Sequence, residues 1–242
     1  MHLLPDHTLP LSNTSLHQFL HELSESLGNA IDAKDTSTKT HSEEVAIVAH
    51  QLALSLGMSP TMADVVHIAG HLHDIGKIGI PDSILFKKGA LTAEEWSIIR
   101  QHPSMGATIL RPLHTFDTCG ITDMVLQHHE KFDGTGYPFG LSGNHIVMGA
   151  RIIAVADALS AMLQTRPYRA ARSFADAMDE LSACSGSHFD PQVIGALHSC
   201  RCEVQAVMET FVSDVQERHE KHRIKRHSSA HNCITSDQHT QA

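Results

Sequence analysis

The sequence predicts an all-α fold. Apolar residues recur at the three-to-four-residue spacing of amphipathic helices, and several of these stretches begin at recognisable capping residues. Aromatic residues make up only 5% of the chain, and no long alternation of β-branched residues indicates a sandwich or a barrel. With 242 residues and 41% hydrophobic content, the chain is long enough for one hydrophobic core. We therefore expect a helical bundle that forms a single domain.

Two helices are predicted in the first 57 residues. The first has one apolar face, formed by Leu16, Phe19, Leu20, Leu23 and Leu27. The polar stretch from Asp32 to Thr40 then indicates a connection between helices. Thr40 and Glu43 have the spacing of a capping box, and the apolar run behind them indicates a helix that ends at Gly57.

The middle of the chain predicts shorter helices. One begins near Thr61, runs into His73 and Asp74, and is broken by residues 79–82. Thr92 to Glu95 has the form of a second capping box. Further helices are expected over Met105 to Leu110, Ile121 to His129, Ala150 to Leu163 and Ser173 to Ala183.

A last helix is predicted after Asp190-Pro191, which suit the N-cap and the first turn. It carries a near-heptad apolar stripe formed by Val193, Leu197, Cys200, Val204, Val207, Phe211 and Val215. This stripe either packs on its own domain or forms a homodimer contact. From about Glu217 the composition predicts disorder.

Charge and cysteine content exclude several classes of protein. The net charge of −9 argues against a general surface that binds nucleic-acid polymers. A phosphate ligand would therefore need local positive charge. Five cysteines without a C-x-x-C pair favour a reducing compartment over a disulfide framework. We expect no secretory signal at the N-terminus and no membrane-spanning run, and hence a cytoplasmic protein.

His73-Asp74-Ile75-Gly76-Lys77 is the first motif with chemical potential. An adjacent imidazole and carboxylate can serve one metal centre, and the two oxygens of Asp74 could bridge two ions. Lys77 lies one turn further on and could hold a substrate phosphate. An isolated His-Asp pair is nevertheless common by chance, and it is then an exposed polar turn.

A second motif runs from His128-His129 to Gly136-Tyr137-Pro138. The two histidines lie at a predicted helix end, where both can reach one site. Gly134 and Gly136 permit backbone angles that other residues resist, so the loop can approach a ligand closely. The alternative is a plain turn after a helix.

Three single residues complete the candidates. His102 precedes a proline, and Asp157 lies in an apolar helix where an unpaired carboxylate would be costly to bury. A metal or a basic partner would offset that cost, as would a cap or a core salt bridge. His41 stands at the start of the second helix, where a lone histidine is more often a surface or capping residue.

Together these segments resemble the HD-GYP family of the HD hydrolase superfamily. HDIGK, HHEKFDGTGYP, the AVAD segment ending at Asp157 and the RPYR segment from Arg166 occur in order. KDTSTKTHSEEVA from Lys34 and HFDP from His188 also resemble family segments. The resemblance covers about residues 20–200. It implies an HD-superfamily helical bundle with a metal site in the core and cyclic di-GMP phosphodiesterase activity that yields pGpG and, by further cleavage, GMP.

The resemblance also implies a ligand set for two divalent ions, most often iron or manganese. One ion would be held by His41, His73, Asp74 and Asp157. The other would be held by Asp74, His102, His128 and His129, with Asp74 bridging. Lys77 would contact phosphate as the second catalytic residue beside Asp74, and substrate would also be bound by Gly136, Tyr137, Pro138, Arg166 and Arg169.

Two departures from the family pattern affect these expectations. Members with a third metal carry a glutamate where this chain has Ser37, which predicts two ions here. Many members carry an acidic residue where this chain has Ser160, which predicts weaker support of the ligands. Other histidines match no ligand position and are assigned to core or surface roles: His50, His67, His71, His114, His145 and His188.

The resemblance suggests three domain segments and leaves alternatives for function. We expect a short N-terminal helical segment over 1–30, the catalytic domain over 31–200, and a helix with a disordered charged tail over 201–242. The substrate is either cyclic di-GMP or another cyclic dinucleotide, and neither a membrane nor a nucleic-acid polymer is expected as a partner. A ligand-binding or partner-binding module without turnover is the non-enzymatic alternative. We expect a separate signalling protein as a regulatory partner.

Overall fold

The prediction of an all-α fold is confirmed in a computed structural model that describes residues 13–34, 40–165 and 170–211. Within these ranges the chain forms helices and turns, with two isolated β-bridges and no strand. The first helices are α1 (Asn13–Lys34), α2 (His41–Ser55), α3 (Pro60–Leu72), α4 (Asp82–Leu85), α5 (Ala93–Ile99) and α6 (His102–Leu110). Then follow α7 (His114–Thr118), α8 (Ile121–Gln127), α9 (Met148–Leu163), α10 (Phe174–Ala183), α11 (Pro191–Ser199) and α12 (201–211).

The core lies where α2, α3 and α9 meet. Helix α2 packs against both α3 and α9, and α8 joins them from the side that also contacts α6. Their facing side chains are almost entirely small or branched aliphatic, including Val45, Val66 and Ile152, each with no exposed area. Such residues allow helices to pack closely, so the helix ends converge at one end of the core.

Helix α3 ends at Leu72, before the break predicted at residues 79–82, and is followed by a 3-10 helix, Ile75–Gly79, that packs against α6. His73 is the C-cap of α3, and Asp74 begins the turn. A Cβ atom at Gly76 would overlap the carbonyl group of His102. Glycine at this position therefore lets the two backbones meet and brings His102 to Asp74.

The predicted apolar face of α1 is wrong in part, and so is the connection predicted from Asp32. Phe19 is 52% exposed, whereas the buried positions include Ser24, Gly28 and Asp32. Helix α1 continues to Lys34 because Asp32 accepts hydrogen bonds from the backbone N–H (3.0 Å) and the hydroxyl (2.9 Å) of Ser42. Because of these polar contacts, α1 buries a face that hydrophobicity alone does not predict.

One of the two predicted capping boxes is confirmed and the other is wrong. Thr92 and Glu95 form both hydrogen bonds of the box at the start of α5. Thr40 forms none with the first turn of α2, because its hydroxyl donates instead to the buried carboxylate of Glu44 at 2.7 Å. The N-cap at Asp190 is confirmed, since its side chain accepts from the N–H of Gln192.

The single C-terminal helix predicted from residue 191 is interrupted. Helix α11 ends at Ser199, Cys200 adopts a turn, and α12 covers 201–211. The chain divides into two compact units between Arg201 and Cys202. Val215 and the predicted disordered tail lie outside the described residues. No described helix has both the length and the apolar character to cross a bilayer.

We expect Gly76→Ala to lower the free energy of unfolding by about 3 kcal/mol or more, because the added methyl group meets backbone atoms that cannot give way. Urea denaturation would measure the change. Gly89→Ala is the matched control, since a Cβ atom there meets nothing within 4 Å, and its effect should stay within about 1 kcal/mol. Equal stability of the two variants would contradict the proposed close contact.

Candidate metal centre

The ends of four helices and the middle of a fifth form one buried site. His41 begins α2, and His73 with Asp74 ends α3. His102 begins α6, His128 and His129 follow α8, and Asp157 faces them from α9. His41, His73, Asp74, His102 and His128 are all at most 6% exposed. Residues that span 117 positions of the sequence therefore meet in the core.

Two groups of potential ligands share the carboxylate of Asp74. The first contains His41, His73 and Asp74, and the second contains Asp74, His102, His128 and His129. Oδ2 of Asp74 lies 3.3 Å from Nε2 of His73, whereas Oδ1 lies 3.2 Å from Nε2 of His102. Each oxygen thus faces a different group. Asp157 joins the first group, because its Oδ1 lies 3.2 Å from Nε2 of His41.

Three of the histidines are oriented by carbonyl oxygens three residues earlier in the chain. Nδ1 of His73 donates to Gly70 (2.8 Å), that of His102 to Ile99 (2.8 Å) and that of His128 to Val125 (2.6 Å). Each carbonyl belongs to the last turn of a helix, where it has no partner within the helix. Because a carbonyl only accepts, the proton is on Nδ1 and the Nε2 lone pair faces the site.

His41 is oriented by a chain of side chains. Its Nδ1 lies 2.9 Å from the hydroxyl of Ser160, which donates its own proton to Glu44 at 2.6 Å. The hydroxyl must therefore accept from Nδ1–H of His41, which directs Nε2 towards Asp157 and the site. The weaker support predicted at Ser160 stays a prediction, and Glu44 on α2 supplies a carboxylate beside its hydroxyl.

The electrostatics of the site favour a bound cation. Although burial opposes ionisation, Lys77 and His73 hold the pKa of Asp74 well below its usual range, and a hydrogen bond from His41 does the same for Asp157. Burial lowers the pKa of His128, and it lowers that of His129 to about 3. Near neutral pH these four groups are therefore carboxylates and neutral imidazoles, the forms that ligate metals.

His73 gives a direct test of whether a metal fits. Its Nε2 is fully buried and forms no well-aligned hydrogen bond among the described residues, although Oδ2 of Asp74 lies 3.3 Å away. An imidazole nitrogen without a well-aligned partner is costly to bury, and a metal ion would satisfy it. Burial alone would lower the pKa of His73, but the charge of Asp74 raises it to about 9, so this position itself attracts positive charge. The set of imidazole and carboxylate donors suits a first-row transition metal.

A loop after His129 closes one wall of the site. The buried carboxylate of Glu130 accepts from the backbone N–H groups of Phe139 (2.7 Å) and Leu141 (3.0 Å). Gly134 has the positive φ angle that was expected (+85°), but Gly136 does not. Gly136 is required for a different reason, because a Cβ atom there would overlap the backbone of Glu130 and its neighbour.

Basic and aromatic side chains lie beside the site. Nζ of Lys77 lies 2.6 Å from Oδ2 of Asp74, and a fifth of the Lys77 side chain is exposed. The ring centroid of Tyr137 lies 4.9 Å from that of His129, and the guanidinium of Arg100 lies 5.5 Å from the Tyr137 centroid. Lys77 and Arg100 thus supply the local positive charge that an anionic ligand requires in a protein of charge −9.

The structure brings together the predicted ligands and the predicted loop. His41, His73, Asp74, His102, His128, His129 and Asp157 meet at one place, and Gly136, Tyr137 and Pro138 lie beside them. Arg166 and Arg169 lie outside the described residues, as does Ser37. The number of ions and the substrate contacts stay predictions.

Sequence reasoning missed Glu44, Glu130 and Arg100. Glu44 carries a detectable signal, because it lies three residues after His41 on the same helical face, directly before an apolar run. Glu130 is a carboxylate next to the two histidines, yet nothing local indicates that it binds a loop. Arg100 has no such pattern, since its partner Tyr137 is 37 residues away.

Comparison with known proteins places these residues in a family context. The family described as HD domain matches residues 25–193. A cyclic di-GMP phosphodiesterase of Thermotoga maritima is 37% identical over 194 residues, which are 80% of this chain and 53% of that protein. A 3'3'-cGAMP-specific phosphodiesterase 2 of Vibrio cholerae is 38% identical over 176 residues, 73% of this chain and 34% of that protein. This chain therefore spans about half or less of these relatives' lengths.

A solved structure shows the same fold. Bd1817 of Bdellovibrio bacteriovorus, described as a HDG"Y"P protein, superposes with a TM-score of 0.57. The match covers 80% of this chain and 74% of Bd1817, at 18% sequence identity. The helical arrangement is therefore common to both chains.

We expect Ser160→Ala to weaken metal binding about 10- to 100-fold, because Nδ1–H of His41 and the carboxylate of Glu44 would lose the hydroxyl between them. A Mn²⁺ titration of the metal-free protein would measure the dissociation constant. Ser55→Ala removes a comparable hydroxyl, which donates to Ala196 at 3.1 Å, and serves as the control. The same dissociation constant in all three proteins would contradict the role of Ser160.

Proposed function

The chain belongs to the HD domain family, and from this membership we propose that it is a metal-dependent phosphodiesterase that hydrolyses cyclic di-GMP in bacterial second-messenger signalling. One observation carries the proposal: two carboxylates and five histidines converge in one buried site that shares Asp74 between two ligand groups. The identity of 37% to a cyclic di-GMP phosphodiesterase supports the choice of substrate.

The proposed centre holds two divalent ions, iron or manganese. His41, His73, Asp74 and Asp157 would bind one ion, and Asp74, His102, His128 and His129 the other. The opposite directions of the two Asp74 oxygens support a bridging role. When bound, such ions supply a water of lowered pKa and stabilise charge on phosphoryl oxygens.

The protein's own residues would position the substrate. Lys77 presents an ammonium group at the edge of the site, where it can donate to a phosphoryl oxygen that gains charge. Tyr137 offers a ring for base stacking beside His129, and Arg100 adds a guanidinium suited to phosphate or guanine. Arg166 and Arg169 would add further basic contacts.

The proposed reaction is hydrolysis of one phosphodiester bond. The oxygen of water forms a bond to phosphorus, the bond from phosphorus to the 3′ oxygen breaks, and a proton is transferred to that oxygen. The product is linear pGpG, and a second hydrolysis would give GMP. Lys77 is the described candidate for the proton donor, because its ammonium group lies within the site.

A second substrate is favoured by a specific comparison. The Vibrio cholerae relative of 38% identity is named as specific for 3'3'-cGAMP. Both cyclic dinucleotides share the phosphodiester chemistry and differ in one base, so discrimination would depend on side chains beside the site such as Arg100 and Tyr137.

We also propose that the protein acts in the cytoplasm. Cys119, Cys184 and Cys202 form no disulfide, which suits a reducing compartment. A signalling protein as partner and a homodimer remain part of the proposal.

We expect the protein loaded with Mn²⁺ or, without oxygen, Fe²⁺ to convert cyclic di-GMP to pGpG or GMP. Asp74→Ala should reduce the rate to that of the metal-free protein, because both ligand groups lose a shared carboxylate. Liquid chromatography would follow the products. Asp82→Ala is the control, since that side chain is 71% exposed and pairs with Lys34.

Parallel reactions with cyclic di-GMP and 3'3'-cGAMP would identify the preferred substrate. Absence of any product from either compound, with two metals confirmed per chain, would contradict the enzymatic proposal. Tight binding of cyclic di-GMP under those conditions would instead identify a binding module.

We expect Lys77→Gln to slow cleavage about 100- to 1,000-fold while metal content stays unchanged, because a positive charge next to the reacting phosphate is lost. Steady-state kinetics and metal analysis would be measured on the same samples. Lys87→Gln is the control, since Lys87 pairs with Glu95 on the surface. Loss of metal together with activity would show that Lys77 holds Asp74 rather than substrate.

A further inference from the structure

Three histidines outside the candidate centre form a second convergent group. His21 on α1 and His67 and His71 on α3 place one ring nitrogen each within 4.8 Å of one another. Nε2 of His67 lies 2.9 Å from Nε2 of His21 and 3.2 Å from Nε2 of His71. We refer to these three residues as the α1–α3 histidine cluster. None of them belongs to the ligand groups around Asp74.

The backbone presents this cluster in a geometry suited to a metal ion. His67 and His71 are four residues apart on α3, so their side chains lie on one face of the helix. Two histidines at this spacing form a common pair of zinc ligands. The third imidazole comes from the neighbouring helix α1, which packs against α3. Tetrahedral zinc with bonds of about 2.0–2.1 Å places its nitrogens about 3.3 Å apart. Nε2 of His67 lies 2.9 Å and 3.2 Å from the other two nitrogens, which is close to that spacing.

Hydrogen bonding alone does not satisfy the three nitrogens. His67 also forms a hydrogen bond with the backbone of Ala46, and this bond by itself would raise the pKa of His67. That direction is the one expected when a ring N–H donates to a carbonyl oxygen. Its Nε2 then carries a single lone pair in the ring plane, and two imidazoles compete for it. A divalent cation would instead accept a lone pair from each ring. The bond to Ala46 would orient His67, as in other metal sites.

Charge and burial around the cluster favour the same ligand. Burial and the nearby His21 lower the pKa of His67 to about 4. The His67 imidazole is therefore neutral near pH 7, and a cation has no proton to displace from it. Asp64 lies close enough to act on His67 through its charge and pairs with His50 at 3.3 Å. This carboxylate adds negative potential beside the cluster.

We propose that His21, His67 and His71 bind a further divalent transition-metal ion, for which Zn²⁺ is the best fit, and that this ion ties α1 to α3. Imidazole ligands suit zinc, and three protein ligands leave a fourth position for water. His21 is only half-buried, so the ion can enter from solvent. This proposal does not depend on catalysis, because it concerns a separate ligand group and a structural effect.

Zinc content of variants of the full chain tests the proposal. Protein without an affinity tag is stripped with a chelator, mixed with Zn²⁺, freed of excess metal by gel filtration and analysed for bound zinc. His67→Gln and His21→Gln should each bind one zinc ion fewer per chain than the wild type. His114→Gln, which alters an exposed histidine on α7, should bind as many as the wild type. The remaining histidines are unchanged in every variant, so their contribution cancels.

Thermal unfolding with and without Zn²⁺ adds a structural readout. Zinc should raise the Tm of the wild type and of His114→Gln more than it raises the Tm of His67→Gln, and the difference between the shifts should be about 5 °C or more. The reason is that a ligand that binds the native state stabilises it. Circular dichroism establishes that each variant is folded before metal is added, and His21→Gln gives a second test on a half-buried position. Wild-type zinc content in both His67→Gln and His21→Gln would overturn the proposal. The same zinc measurement with Asp74→Asn added to the wild type and to each variant would separate binding at the α1–α3 histidine cluster from binding at the candidate centre.

Discussion

The hydrogen bond from a histidine Nδ1 to a carbonyl at a helix end is the interaction on which the site depends. It acts at His73, His102 and His128, and it simultaneously satisfies a carbonyl that the helix leaves unpaired and directs Nε2 inward. The helix ends must therefore lie close together for the histidine ligands to meet. Close packing of α2, α3, α8 and α9 through small and branched side chains brings this about. The C-terminal ends of helices also carry partial negative charge, which favours a cation.

The carboxylates of Asp74 and Asp157 impose a second constraint. A carboxylate removed from water is stable as an anion only with a compensating charge or hydrogen bonds. Lys77 and His73 lie beside Asp74, and Nε2 of His41 lies 3.2 Å from Asp157. Lys77 consequently has two roles in the proposed reaction, because an ammonium group that neutralises Asp74 is also placed where a phosphoryl oxygen would arrive. Loss of the first role would lower the metal content, whereas loss of the second would lower activity at unchanged metal content.

The helices could be predicted because they depend on local patterns, and the residues that converge in the site could be predicted from motifs that resemble a known family. His73-Asp74 and His128-His129 are adjacent in sequence, and the capping box at Thr92 is complete within four residues. The features that could not be predicted rest on long-range contacts. Thr40 donates to Glu44 instead of capping α2. The same carboxylate also accepts from Ser160, which lies 116 residues further along the chain. The α1–α3 histidine cluster joins positions 46 residues apart, and no motif relates them.

Helix α3 connects the two histidine groups. His67 and His71 face α1, while the end of the same helix delivers His73 and Asp74 to the candidate centre. Gly28 allows α1 to approach this region closely, since a Cβ atom there would lie 2.8 Å from the carbonyl oxygen of His71. Ser24, Gly28 and Asp32 are buried on α1 together with the apolar Ile31, so polar and small residues share this contact. An ion shared by the two helices would add a further link between them, and it would fix α3 near the turn that carries Asp74.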